Sequence, residues 1–172
     1  MKKLATIFLV LSILSTLALL GWGTTRAVKA IKFDIDCTQH LKRAADASTV
    51  DLAKEELLKA ISYAEEHGLT EGVVSIFFQQ PCNDVGFWYN NIKEAYAELD
   101  GLPEDVSSLE ASNVLMRVRE SIADQAKSGI RVTLPDGIEI YPNNIPYFWW
   151  GTVSFLLSIV GWIGCLYYWS EY

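Results

Sequence analysis

The sequence is poor in the groups that most chemistry needs: two histidines, three cysteines and two methionines in 172 residues. Neither His40 nor His67 stands beside a nucleophile, and there is no nucleophile elbow, phosphate loop or metalloprotease histidine pair. An enzyme built on this chain would have only carboxylates to work with. Basic residues are also scarce in the middle of the chain, where residues 33–144 hold nine Lys and Arg against 20 Asp and Glu, a net charge of −11. A field of that sign repels phosphate backbones, which excludes nucleic acid as a partner and favours cations or basic partners. No internal repeat or low-complexity linker interrupts the chain.

Charge is missing altogether from residues 4–25 and 140–170. A helix crossing a hydrocarbon layer of about 30 Å needs about 20 apolar residues. Residues 4–23 supply such a run, beginning after Lys2-Lys3 and reaching Trp22 and Arg26. The second run opens on Tyr147, Phe148, Trp149 and Trp150 and closes on Tyr167, Tyr168 and Trp169. Residues 149 and 168 would stand roughly 28 Å apart at helical rise, which places the two aromatic groups at the headgroup levels. The expected fold is therefore mainly α. Two transmembrane helices, residues 1–25 and 145–172, flank a small helical-bundle domain, residues 26–144, with a short β-hairpin at 130–141.

The first run also fits a secretory signal peptide, with Ala27-Val28-Lys29-Ala30 as a small-residue cleavage site. Its apolar stretch exceeds the roughly 7–15 residues of such a region, so an uncleaved signal anchor is expected. With two spans, both chain ends lie on one side. Lys2 and Lys3 argue for ends inside, whereas Arg26, Lys29 and Lys32 argue for the opposite. The signal-like start and a pair of cysteines favour the domain on the periplasmic or extracellular face.

Within the domain, helical spacing links Phe33, Cys37, Leu41 and Ala44. A second helix is expected after Ser48-Thr49, with Asp51 placed as in a capping box, carrying Leu57, Ile61 and Ala64 and ending at Gly68. Residues 73–78 form an apolar run of unassigned structure. A third helix begins near Asn83, shows Val85, Trp88, Ile92, Ala95 and Leu99 on one face, and stops at Gly101. A fourth follows Pro103 with Ala111, Leu115, Val118 and Ile122 before Ser128-Gly129. Ile130, Val132 and Leu134 then alternate with polar residues, and Pro135-Asp136-Gly137 is expected to turn the chain into a return strand, Ile138-Glu139-Ile140.

Several groups are candidates for chemistry or recognition. Cys37 and Cys82, the two cysteines outside the spans, are expected to form a disulfide in an oxidising compartment. Asp36, Cys37 and His40 have metal-binding side chains, but a structural zinc site needs four ligands, so they read as surface residues of an amphipathic helix. No metal or other cofactor is expected. Phe87, Trp88 and Tyr89 are consecutive and point about 100° apart on a helix, so they cannot all enter one core. With Asn90 they mark the ligand or partner surface to look for first, although packing anchors explain most of them. The acidic pairs Glu55-Glu56, Glu65-Glu66 and Glu104-Asp105 read as solvated faces.

In the second span Gly151, Ser154, Ser158, Gly161 and Cys165 follow a 3-4-3-4 spacing and share one stripe. Small residues let another helix approach closely, so the stripe packs either on the first span, where Ser12 and Thr16 answer it, or on another membrane protein or second copy. No ionisable residue lies inside either span, which argues against an ion pathway. The layout of span, bundle and span is similar to the sensor portion of chemoreceptors, in layout only. No signalling region follows, so transduction is expected to need a partner. The expected role is a non-enzymatic accessory or scaffolding membrane protein that presents the acidic helical domain and pairs with partners through it and through the small-residue stripe, with a ligand-binding sensor or co-receptor domain near Trp88 as the alternative and carboxylate-based enzymology a distant third.

Overall fold

The computed structural model describes residues 2–103, 105–126 and 129–170. Glu104 and Ser128, named above, lie outside the described residues. The chain divides into two compact units, residues 1–29 with 143–172, and Ala30–Pro142.

The first unit pairs α1 (Lys2–Phe33), up to Lys29, with α6 (Asn144–Ser170). Both helices are long and apolar enough to cross a membrane. Pro146 sits in the first turn of α6, where a missing N–H removes no helical hydrogen bond. The burial pattern is the reverse of a water-soluble protein. Ser12, Ser15, Gly151, Ser154, Gly161 and Cys165 are buried, while Leu14, Leu17, Leu20, Phe155, Leu156, Ile163 and Leu166 are exposed.

The second unit is a helical bundle. The last turn of α1 runs into a π-helical segment, Asp34–Thr38, and then α2 (Gln39–Ala45). α3 (Val50–Glu66) packs between α2 and α4 (Val85–Asp100), and α5 (Ser108–Ile122) closes the ring against α4 and α2. Apolar residues at helical spacing drive this: Cys37, Leu41, Ala53, Leu57, Ala60 and Val85 are fully buried. Burial of each leucine contributes roughly 1.5–3 kcal/mol.

Helix ends follow side-chain chemistry. Thr49 Oγ1 accepts from Leu52 N at 3.4 Å, Asp84 Oδ1 from Phe87 N at 2.9 Å, and Ser107 Oγ from Glu110 N at 3.2 Å. Such caps are each worth about 1 kcal/mol. α3 ends as expected at Gly68, whose φ of 66° is left-handed, with Leu69 N donating back to Ala64 O at 2.7 Å. The apolar run at 73–78 belongs to a loop anchored by one antiparallel bridge, Val73 to Asp84. Gly72, with φ 97°, lies against the Tyr141 phenol, which donates to Glu71 O at 2.9 Å; a Cβ at Gly72 would collide with that hydroxyl.

The hairpin differs from expectation. β1 (Ala123–Ala126) pairs antiparallel with β2 (Gly129–Val132), Ala123 opposite Val132, and Ile138–Ile140 is a short 3-10 helix in place of the return strand. The residues after Ile122, expected to lead from the fourth helix to Ser128-Gly129, supply the partner strand. Gly137 adopts φ 88° as expected of a turn, but Pro135 O accepts from Ile138 N at 3.2 Å and tightens the chain into a helical turn. Ile138 and Ile140 are both buried, which a single turn achieves as well as a strand.

Candidate functional site

The aromatic run opens α4, held there by the Asp84 cap. Its rings diverge as helical geometry requires. Phe87 and Asn90 face outward, Phe87 being 64% exposed, whereas Trp88 and Tyr89 are 6% and 8% exposed. Tyr89 donates its hydroxyl to Glu65 Oε1 at 2.5 Å. Burial pushes its phenol up, and the bond to Glu65 adds to this, to about 12. Among the described residues the Trp88 indole finds no acceptor for its Nε1–H, although the atom is buried. Beside the ring is a cleft of about 70 Å³, walled by Phe87, Trp88, Ile92, Ile122, Leu134 and Pro135, with Cys82, Asp84, Asn91, Ser121 and Thr133 supplying its polar atoms. The four residues singled out by sequence therefore split into two outward and two inward, and two of them, Phe87 and Trp88, border a cavity.

Cys37 and Cys82 are both free thiols, which corrects the expected disulfide. The reason is placement: Cys37 is sealed inside the bundle on the π segment, and Cys82 is exposed in the 3-10 turn before α4. Burial, reinforced by the Asp36 carboxylate, pushes the Cys37 thiol up to about 12, which keeps it protonated. Nor is Cys37 the surface residue expected beside His40. Among the described residues no three or more His, Cys, Asp and Glu gather as a metal site.

The Glu55-Glu56 pair also departs from the solvated reading. Glu55 is exposed, but Glu56 is 1% exposed, is hydrogen-bonded to His40 Nδ1 at 2.6 Å and Lys59 at 3.3 Å, and forms an ion pair with Arg43 at 3.0 Å. Burial alone would push its carboxyl up; the bonds from His40 and Lys59 and the charges of Arg43 and Lys59 outweigh this and hold it below the usual range. This cluster joins α2 to α3. With both oxygens engaged, one by His40 and the other by Arg43 and Lys59, Glu56 is a structural acceptor and a poor general base. The spacing Ala53, Glu56, Leu57, Ala60, Ile61, Ala64 carried the missed signal, since Glu56 lies on the same buried stripe as its apolar neighbours.

In the first unit the stripe of α6 is filled by α1 of the same chain. A Cβ at Gly161 would come within 2.8 Å of the Ser12 backbone, and one at Gly151 within 2.7 Å of the Trp22 ring. Ser154 and Cys165 are buried in the same seam, and Ser158 Oγ lies 3.1 Å from Thr16 Oγ1. Trp22 donates Nε1–H to Tyr147 O at 2.8 Å, and Phe8 stacks on Tyr168 at 5.6 Å. Of the two readings of the stripe, the intrachain one is the packing observed.

Comparison of the chain with protein-family models, with curated proteins and with solved structures finds no match.

Proposed function

We propose that this chain is a non-enzymatic accessory protein anchored in a membrane by α1 and α6, displaying the acidic bundle in water as a recognition domain. The observation that carries this reading is the inverted burial of the first unit, with small and hydroxyl residues inside and leucines, isoleucines and tryptophans outside. Lipid tails solvate such a surface; water does not. Several hydroxyls of the seam bond to the backbone or to each other, as Thr16 does with Ser12 O at 2.6 Å and with Ser158, which spares them unpaired contact with hydrocarbon. The test is alkaline extraction of membranes. The protein should stay in the pellet and be released by detergent alone; a monodisperse soluble chain without detergent would overturn the reading.

With the stripe filled by α1, partners are met by the domain and by the outer faces of the helices. The domain is proposed to face the periplasmic or extracellular side. Free thiols remove one of the two features that favoured this, and the signal-like start remains. Exposed Cys82 reports the side directly: a membrane-impermeant maleimide should label it in intact cells, and labelling only after lysis would reverse the orientation.

A second reading, a ligand-binding sensor or co-receptor, is favoured by the cleft beside Trp88 and its unsatisfied indole. It is compatible with the anchor and assigns the domain its ligand.

A further inference from the structure

We infer that Arg26 and Lys29, near the C-terminal end of α1, hold the phosphate of an anionic phospholipid. The inference rests on the membrane-anchored reading above and adds a lipid partner to it.

Arg26 and Lys29 are three residues apart, so they share one face of α1. Each is seated on an aromatic ring. Arg26 Cζ lies 5.8 Å from the centroid of Trp22, and Lys29 Nζ lies 5.1 Å from that of Tyr147, on α6. Both distances are within the roughly 6 Å over which the negative face of a ring attracts a cation. The rings are themselves fixed: Trp22 donates Nε1–H to Tyr147 O at 2.8 Å and lies so close to Gly151 that a Cβ there would come within 2.7 Å. Two cations from one helix face thus rest on two rings that a hydrogen bond joins. A ring occupies one side of a cation only. The ammonium has three N–H donors and the guanidinium five, more than a ring or any one partner engages, and a phosphate is the group whose oxygens accept several at once.

Depth and charge select the ligand. The apolar run ends at residue 23, and helical rise puts Arg26 about 4.5 Å and Lys29 about 9 Å beyond it. The headgroup layer is about 5–7 Å deep on each side of the hydrocarbon. Lys29 reaches back over Tyr147, whose carbonyl is bonded to Trp22, so both charges fall at the level of lipid phosphates. Residues 1–29 and 143–170 hold four Lys and Arg and no Asp or Glu, so the ammonium of a zwitterionic headgroup meets no acid on these segments. A headgroup whose only charge is its phosphate fits them better.

The test reconstitutes the full chain with equal amounts of phosphatidylglycerol and phosphatidylcholine and counts, by native mass spectrometry from a neutral detergent, the lipids that stay bound. Each basic residue at an anionic surface strengthens binding about fivefold. Wild type should therefore keep phosphatidylglycerol at least roughly tenfold over phosphatidylcholine. Arg26→Gln combined with Lys29→Gln should lose that preference; Gln has similar helix propensity, so the helix pair should persist. Lys2→Gln with Lys3→Gln, at the other end of α1, should retain it. Equal retention of the two lipids by wild type, or a preference unchanged in the Arg26 and Lys29 variant, overturns the inference. The anchored reading then still stands if alkaline extraction leaves the chain in the membrane pellet, whereas release there overturns both. Displacement of the bound lipid by millimolar inorganic phosphate would give the site to a soluble anion and overturn the lipid as its ligand.

Discussion

The two units bury opposite things with the same helical period. In the bundle the stripe at 3-4 spacing is large and apolar, with Leu41, Leu57, Ile92 and Leu99 inside. In the paired long helices the stripe at the same spacing is small, with Gly151, Ser154, Gly161 and Cys165 inside and the large side chains turned out. Water rewards removal of apolar area, so the bundle is held by volume filled. Between apolar helices in lipid that reward vanishes, and close approach of backbones takes its place. A pattern of apolar residues therefore marks what is buried in one unit and what is exposed in the other.

The sharpest way to break this comparison is Leu57→Ala in the bundle. A fully buried leucine with its cavity should cost about 2–5 kcal/mol, read as a lower denaturant midpoint for the domain. Next is Gly161→Leu, the reverse change in size. The added side chain meets the Ser12 backbone and should destabilise the helix pair by about 1–3 kcal/mol, seen as loss of crosslinking between cysteines introduced at positions 16 and 158. Tyr89→Phe should cost about 1.5–3 kcal/mol through the lost bond to Glu65, and it should abolish a loss of stability at high pH. The sign follows from the raised phenol: its contribution is complete below about pH 10, the unfolded value, and is lost as pH rises through about 12. Glu56 works in the other direction. Its carboxyl is lowered by folding, so its contribution is present above about pH 4 and lost as pH falls through the folded value. Glu56→Gln should flatten the acid limb of a melting profile; an unchanged limb would remove the cluster from any role in stability. Smallest of all, Leu17→Ala on an outward face should change stability by less than about 0.5 kcal/mol in detergent, because most of the side chain already faces away from protein.

Periodicity was sufficient to read most of the helices. Val85, Trp88, Ile92, Ala95 and Leu99 form the inner face of α4, as their spacing implies, and Gly68 ends α3 because only a residue tolerant of positive φ fits there. Three features were not legible. Ser107 and Glu110 stand at capping-box spacing, but Pro103 drew the helix start toward itself. The strand Ala123–Ala126 is pulled out of a helical pattern by its pairing with Gly129–Val132, a tertiary term that local propensity does not carry. The cleft at Trp88 depends on residues from α4, the end of α5 and the segment after β2, which no single stretch of sequence juxtaposes. Cys37 was misread for a related reason: its partner in space is the core, and sequence supplied only another cysteine as company.

The π-helical segment Asp34–Thr38 carries a consequence for inheritance. It holds one residue more than regular winding would, and Cys37 and Thr38 enter the core through it. Each residue turns a regular helix by about 100°, so inserting one more codon here would swing Leu41 and Ala44 off the face they now share with α3, whereas deleting one would return the segment to regular winding with that face kept. Loss of one letter from this stretch should be far better tolerated by the lineage than the gain of another.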